Sequence, residues 1–241
     1  MLSVEELKIN LNLVEMRIAN ACKKAGRPRE DVVLIAVSKM NPAEAVINAC
    51  KCGQLCFGEN KVQELCAKQD EIAAAGACSD PLEWHLIGHL QTNKVKDAVG
   101  RVKLIHSVDS VKLAEVINKE SIKKGIVSDI LLEVNIAEED SKYGFRAAEV
   151  LEAARQISAF SNVRVRGLMT VAPIADNPEN NRIFFRNLKN LSVDIGSKNI
   201  DNIFMDVLSM GMTQDFEIAI EEGATCVRVG TGIFGARDYS K

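Results

Sequence analysis

The stretch V-V-L-I-A-V-S-K-M-N-P, from Val32 to Pro42, decides how the rest of the chain reads. Its apolar run Val33–Val37, rich in β-branched side chains, predicts a strand buried on both faces, as in parallel sheets. Asn41-Pro42 then predicts a helix with an asparagine cap and proline in its first position. Ser38 and Lys39 fall between the two, at the strand's carboxyl end, which is the edge where α/β folds hold ligands. A lysine in that place either snorkels to water or, once desolvated, offers a neutral amine able to attack a carbonyl.

The same pattern recurs through the chain. Ser3 and Glu6 form a capping box for an opening helix, whose apolar stripe runs over 4, 7, 11, 14, 18, 21 and 25 until Gly26 and Pro28 end it. After the strand at 33–37 and a helix at about 42–52, further strands are expected at 55–58, 83–88, 103–106, 129–136, 163–169, 203–208 and 225–229. Helical patterns separate them, and Asn60 with Gln63 reads as the cap of a helix over about 61–75. Eight alternating units with no linker or composition shift predict one α/β domain, residues 1–241, folded as a closed (β/α)8 TIM-type barrel with an extra N-terminal helix. An open doubly wound sheet is the alternative.

Composition narrows the function. The chain has 241 residues and a formal net charge of −3, which leaves no basic footprint for nucleic acid or anionic lipid. No window approaches the length of a membrane span, and the acidic N-terminus does not read as a secretory signal. Seven cysteines (22, 50, 52, 56, 66, 78 and 226) read as reduced thiols of a cytoplasmic protein, with a redox role for Cys50, Cys52 or Cys56 as the minority reading. Cys50-x-Cys52 and Cys52-x3-Cys56 lack a second pair at zinc spacing, and the three histidines do not pair as metal ligands.

A barrel site is built from the carboxyl ends of the strands. Those positions carry Lys39, Asn60, His85 to His89, Ser107, Asn135, Met169-Thr170, Ser209 to Met212 and Arg228 to Thr231. Several have plain structural explanations: Asn60 and Ser107 as helix caps, His85 as a core histidine with its bonds satisfied, Gly230 and Gly232 as turn residues. Ser209-Met210-Gly211-Met212 and Gly230-Thr231-Gly232 read as two small-residue loops at helix starts, whose free N–H groups and hydroxyls suit an anion. The loops after the seventh and eighth strands are where barrel enzymes commonly hold phosphate. Phosphate there and an amine at the first strand suit a phosphorylated aldehyde, pyridoxal 5'-phosphate (PLP), bound as a Schiff base. Rossmann and P-loop motifs are absent.

A-V-S-K at 36–39, F-G-E-N at 57–60, W-H-L-I-G-H-L-Q-T-N-K at 84–94, H-S-V-D-S from His106, V-R-G-L-M at 165–169, S-M-G-M-T-Q-D-F at 209–216 and V-R-V-G-T-G-I-F-G at 227–235 together resemble the pyridoxal phosphate homeostasis protein family. These are single-domain relatives of the alanine racemase barrel, the type III PLP fold. The resemblance implies Lys39 as the Schiff-base lysine and Ser209, Gly230 and Thr231 as phosphate contacts. It also places Asn60 near the cofactor and Arg228 opposite the pyridine nitrogen. Thr213 and Gly232 depart mildly from the family pattern, which more often has serine and alanine.

An arginine at the ring nitrogen keeps that nitrogen unprotonated and weakens the ring as an electron sink. Alanine racemase adds a second domain that supplies a tyrosine base, whereas the tyrosines here are only Tyr143 and Tyr239. The resemblance therefore implies PLP buffering and delivery to apo-enzymes, with no catalytic residue, by a monomer more readily than an oligomer. The alternatives are a low-activity racemase or lyase and a sugar-phosphate barrel enzyme that uses Lys39. Lys142, in a polar loop, is a candidate second aldehyde acceptor.

Overall fold

In the structure, a computed structural model that describes residues 2–139 and 142–235, eight parallel strands close into one barrel in chain order. The strands are β1 Val33–Val37, β2 Cys56–Glu59, β3 Glu83–Leu86, β4 Leu104–Val108, β5 Ser128–Glu133, β6 Val163–Met169, β7 Ile203–Met212 and β8 Cys226–Val229. The helices are α1 Val4–Lys24, α2 Ala43–Lys51, α3 Val62–Ala75, α4 Val95–Ala98, α5 Val111–Lys124, α6 Val150–Ser158, α7 Arg182–Gly196, α8 Phe216–Glu221 and α9 Thr231–Phe234. β1 pairs with both β2 and β8, which closes the ring and abolishes free sheet edges.

The barrel follows from the apolar strand runs. Side chains alternate between the interior and the helix layer, so both faces of each strand must be covered. Leu104, Leu131 and Met169 fill part of the interior, while the outward-facing residues join the large core under the helices. α1 is the extra element before β1. Its Ser3–Glu6 capping box is present, and Leu7, Leu11, Val14, Ile18 and Ala21 form the buried stripe. Asn10 Nδ2 of this helix donates to the carbonyl of Ile233 at 2.9 Å, which ties α1 to α9.

Three local expectations fail for physical reasons. Pro42 occupies the cap position of α2, so Asn41 lies outside the helix and donates instead to the Lys39 carbonyl at 3.3 Å. Lys61, not Asn60, is the cap residue of α3, and no side chain caps that helix. Ser209–Met212 is no loop but the last part of β7. Gly211 sits there at φ +90°, where a Cβ would come within 2.6 Å of the Ala219 side chain. Its glycine thus serves a close approach of α8 to the strand end, not a turn.

Candidate functional site

A cavity of about 420 Å³ opens at the carboxyl ends of the strands. Lys39, Asn60, Arg228, Gly230 and Thr231 all line it, joined by Thr213. Five of the six residues singled out from sequence thus share one space. Ser209 does not line it.

The backbone around Lys39 is held from below. Ser38 is buried, its hydroxyl donates to Glu59 Oε1 at 2.6 Å, and its carbonyl accepts from Lys68 Nζ at 2.8 Å. The same ammonium meets Glu59 Oε1 at 2.6 Å and Glu64 Oε1 at 2.7 Å. Glu64 in turn accepts from the Met40 backbone N–H at 2.6 Å. Met40 adopts φ +64°, a left-handed conformation costly for a side chain of its kind, so the turn persists because these contacts over-determine it. Burial raises the Glu59 carboxyl above its ordinary pKa, against the lowering contacts of Lys68 and Ser38. Glu59 belongs to the F-G-E-N motif, yet the sequence around it indicates no role for this carboxylate. Its partner Lys68 lies nine residues away on another element and carried no signal.

Arg228 stands on β8, only 4 % exposed, yet reaches the cavity wall. Its Nη1 donates to Ser209 Oγ at 2.5 Å and its Nη2 to the Thr170 carbonyl at 2.8 Å. Burial pulls the guanidinium below its ordinary pKa, opposed by Asp215, Cys226 and Glu133. Among the described residues no carboxylate is within ion-pairing distance of it. Behind Ser209 a polar line crosses the barrel interior: His106 Nδ1 is 2.9 Å from Ser209 Oγ, and His106 Nε2 is 2.8 Å from His85 Nδ1. Ser209 therefore stands behind Arg228, outside the cavity lining. Its side chain is fully buried and engaged with Arg228 and His106.

The hydroxyl surface of the cavity is made elsewhere. Thr231 Oγ1 donates to Thr213 Oγ1 at 3.3 Å, and Gly232 N–H donates to the same oxygen at 3.4 Å. Asp215 anchors that turn, accepting from Met212 N–H at 2.7 Å and from Asn181 Nδ2 at 2.8 Å. In sequence Thr213 shows only as a mild departure within S-M-G-M-T-Q-D-F, because its closeness to Thr231 arises in the fold. At Gly232 a Cβ would meet Val229 at 3.0 Å and Thr213 at 3.1 Å, so the common alanine would press on this wall. Asn60 is free of capping and sits against Gly88, where a Cβ would lie 2.5 Å from the Asn60 carbonyl oxygen. Gly88 is therefore what admits the Asn60 backbone at this point.

Lys142, Tyr143, Glu133 and Asn135 line a smaller cavity of about 220 Å³, and Val171 borders both spaces. Lys142 Nζ pairs with Glu139 at 2.6 Å. Tyr143 stacks on His89 with ring centroids 4.0 Å apart, and burial pushes Glu133 up to about 7, helped by Asp109 and opposed by Arg228. Tyr239 lies outside the described residues. Ser107, expected as a cap, donates instead to the Gly88 carbonyl at 2.6 Å, and Ser110 caps α5.

An amine, a buried guanidinium and two hydroxyls around one cavity can bind a compact anion that carries an electrophilic carbon. The comparisons agree with that chemistry. The family described as "Alanine racemase, N-terminal domain" matches residues 9–238. The chain is 43% identical over 229 residues to the pyridoxal phosphate homeostasis protein of Aquifex aeolicus, covering 95% of this chain and 97% of that one. It superimposes on PipY of Synechococcus elongatus, solved with PLP bound, with TM-score 0.79 and 35% identity, covering 92% of this chain and 100% of PipY. An alanine racemase of Clostridium difficile shares the fold at TM-score 0.73 and 15% identity, covering 98% of this chain but 58% of that enzyme.

Proposed function

The chain belongs to the pyridoxal phosphate homeostasis protein family, and from that premise we propose that it holds PLP as a Schiff base on Lys39 and serves as a reservoir for apo-enzymes, not as a catalyst. The observation that carries this reading is that Lys39, Arg228 and the Gly230–Thr231 pair open onto one cavity. Bound PLP would supply an aldehyde for a lysine amine and a ring nitrogen with a lone pair. The residues suit both ends of that molecule. Among the described residues Arg228 is a buried donor with no carboxylate paired to it, and a donor that never gives up its proton matches an unprotonated ring nitrogen. Thr213, Thr231 and the glycines beside them offer hydroxyls and N–H groups to a phosphate. Asn60, positioned by Gly88, completes the wall.

The test is chemical trapping. Full-length protein is incubated with substoichiometric PLP, reduced with borohydride, and mapped by peptide. The label is expected on the Lys39 peptide and is expected to vanish in Lys39→Ala while the fold persists. A label mainly on another lysine, Lys142 included, overturns the assignment.

A further inference from the structure

The parallel strands begin at the barrel floor, opposite the cavity, and there the structure brings together three residues that are far apart as metal-ligand patterns in sequence. Cys56 and Glu83 open β2 and β3 and are paired in register, and His85 follows two residues along β3. Cys56 Sγ, a Glu83 carboxylate oxygen and a ring nitrogen of His85 all lie within 4.8 Å of one another. His85 is 4 % exposed, and its Nδ1 is engaged by His106. Its Nε2 is buried and has no hydrogen-bond partner among the described residues. An orphaned buried ring nitrogen is a destabilising feature unless something outside the chain satisfies it. Glu83 is held on its solvent side by Lys103 Nζ, at 2.6 and 2.7 Å.

We propose that Cys56, His85 and Glu83 form a Zn²⁺ site at the floor of the barrel. Thiolate, imidazole and carboxylate are the three ligand types zinc takes together, and three protein ligands leave a fourth position open. His85 is buried and its Nε2 has no hydrogen-bond partner among the described residues, so a neutral imidazole there has a lone pair to give. The polar line behind it supports that role. With the His85 proton on Nδ1, His85 donates to His106 Nε2, and His106 Nδ1 donates to Ser209 Oγ. That hydroxyl oxygen has two lone pairs and accepts from Arg228 as well. This order of donors leaves Nε2 with a bare lone pair.

Binding forms a Zn–S bond and breaks the Cys56 S–H bond, with the proton passing to solvent. His85 keeps its single proton, and Glu83 exchanges Lys103 for the metal. Lys103 opposes the metal twice, by occupying Glu83 and by its own charge.

Calorimetric titration of the full-length protein with Zn²⁺ tests the site. One ion per chain is expected. Cys56→Ala is expected to weaken binding by at least about tenfold with the fold intact by circular dichroism, since a ligand and not a support is removed. Lys103→Gln is expected to tighten binding, and Cys66→Ser to leave it unchanged. Absence of stoichiometric binding overturns the site. So does binding that survives Cys56→Ala but is lost in Cys50→Ser, which would place the ion at another thiol. His85→Gln serves as a second check wherever it folds: undiminished affinity there also overturns it.

Discussion

Lys68 Nζ donates a 2.8 Å hydrogen bond to the carbonyl of Ser38, so a buried ammonium on α3 grips the residue just before Lys39. The same ammonium neutralises Glu59, which holds the Ser38 hydroxyl. Lys39 is thus carried on a turn fixed by largely buried charges. Removing one partner of a buried pair strands the other, which typically costs about 3–5 kcal/mol.

Lys68→Met is therefore expected to lower the melting temperature by on the order of 10 °C, at roughly 2–4 °C per kcal/mol for a chain of this size. Lys68→Met combined with Glu59→Gln is expected to regain part of that loss, because the fully buried Glu59 carboxylate is then no longer stranded and only the partly exposed Glu64 loses its partner. PLP capture by either variant should be slower, since Met40 loses the frame that holds its left-handed conformation. A melting temperature unchanged in Lys68→Met would show that the pair contributes nothing to the fold.

Ser209 and Thr231 separate two roles that the sequence merged. Thr231→Ala is expected to weaken PLP retention about tenfold, the value of one hydrogen bond to a charged acceptor, and to leave pyridoxal without its phosphate unaffected. Ser209→Ala removes the acceptor of Arg228 and not a phosphate contact, so it should weaken PLP and pyridoxal alike. Equilibrium dialysis with both ligands checks this. A phosphate-dependent loss in Ser209→Ala would contradict the placement of that side chain.

The barrel was legible because strands covered on both faces must read as apolar runs, and Val33–Val37 and Val163–Met169 were read to the residue. The end of β7 was not legible. Small residues there imitate a turn, while the real demand on Gly211 comes from Phe216 and Ala219 of α8, a contact no local pattern records. Lys39, Asn60, Arg228, Gly230 and Thr231 could be listed because strand ends are countable. The Ser38–Glu59–Lys68 frame and the Cys56–Glu83–His85 cluster could not, because each joins different strands or helices through tertiary contacts alone.

Glu133 gives the fold a pH dependence of its own. Burial raises this carboxyl to about 7, above its unfolded value, so folding favours its protonated form. Its contribution to stability is fully present below the unfolded pKa of about 4.5 and is lost as pH rises through about 7. At pH 8 the cost is roughly 2–4 kcal/mol. His85 and His106, both lowered by burial, act oppositely, losing stability as pH falls below 6.5, so only a variant difference isolates the carboxyl. Glu133→Gln is expected to match wild type in urea unfolding near pH 5 and to exceed it at pH 8. Equal differences at both pH values would contradict the raised carboxyl.

The last prediction is that the protein does not racemise amino acids at enzymatic rates. Racemisation takes a proton from one face of the α-carbon and returns one to the other, so it needs two placed acid–base groups. Among the described residues lining the main cavity, the ionisable ones are Lys39, Asp215 and Arg228. Both Asp215 oxygens already accept hydrogen bonds, from Met212 and Asn181, and an arginine does not give up its proton. Tyr143 lines the other cavity and is stacked on His89. Lys39 alone is left to serve one face. A positioned acid–base group contributes about 10²–10⁴-fold, so a one-sided site turns over slowly at best. Incubation of PLP-loaded protein with L-alanine in deuterated water is expected to give at most slow α-deuteration with configuration retained. D-alanine appearing at about 1 s⁻¹ or faster, an ordinary enzymatic rate, would overturn the reservoir reading in favour of a racemase.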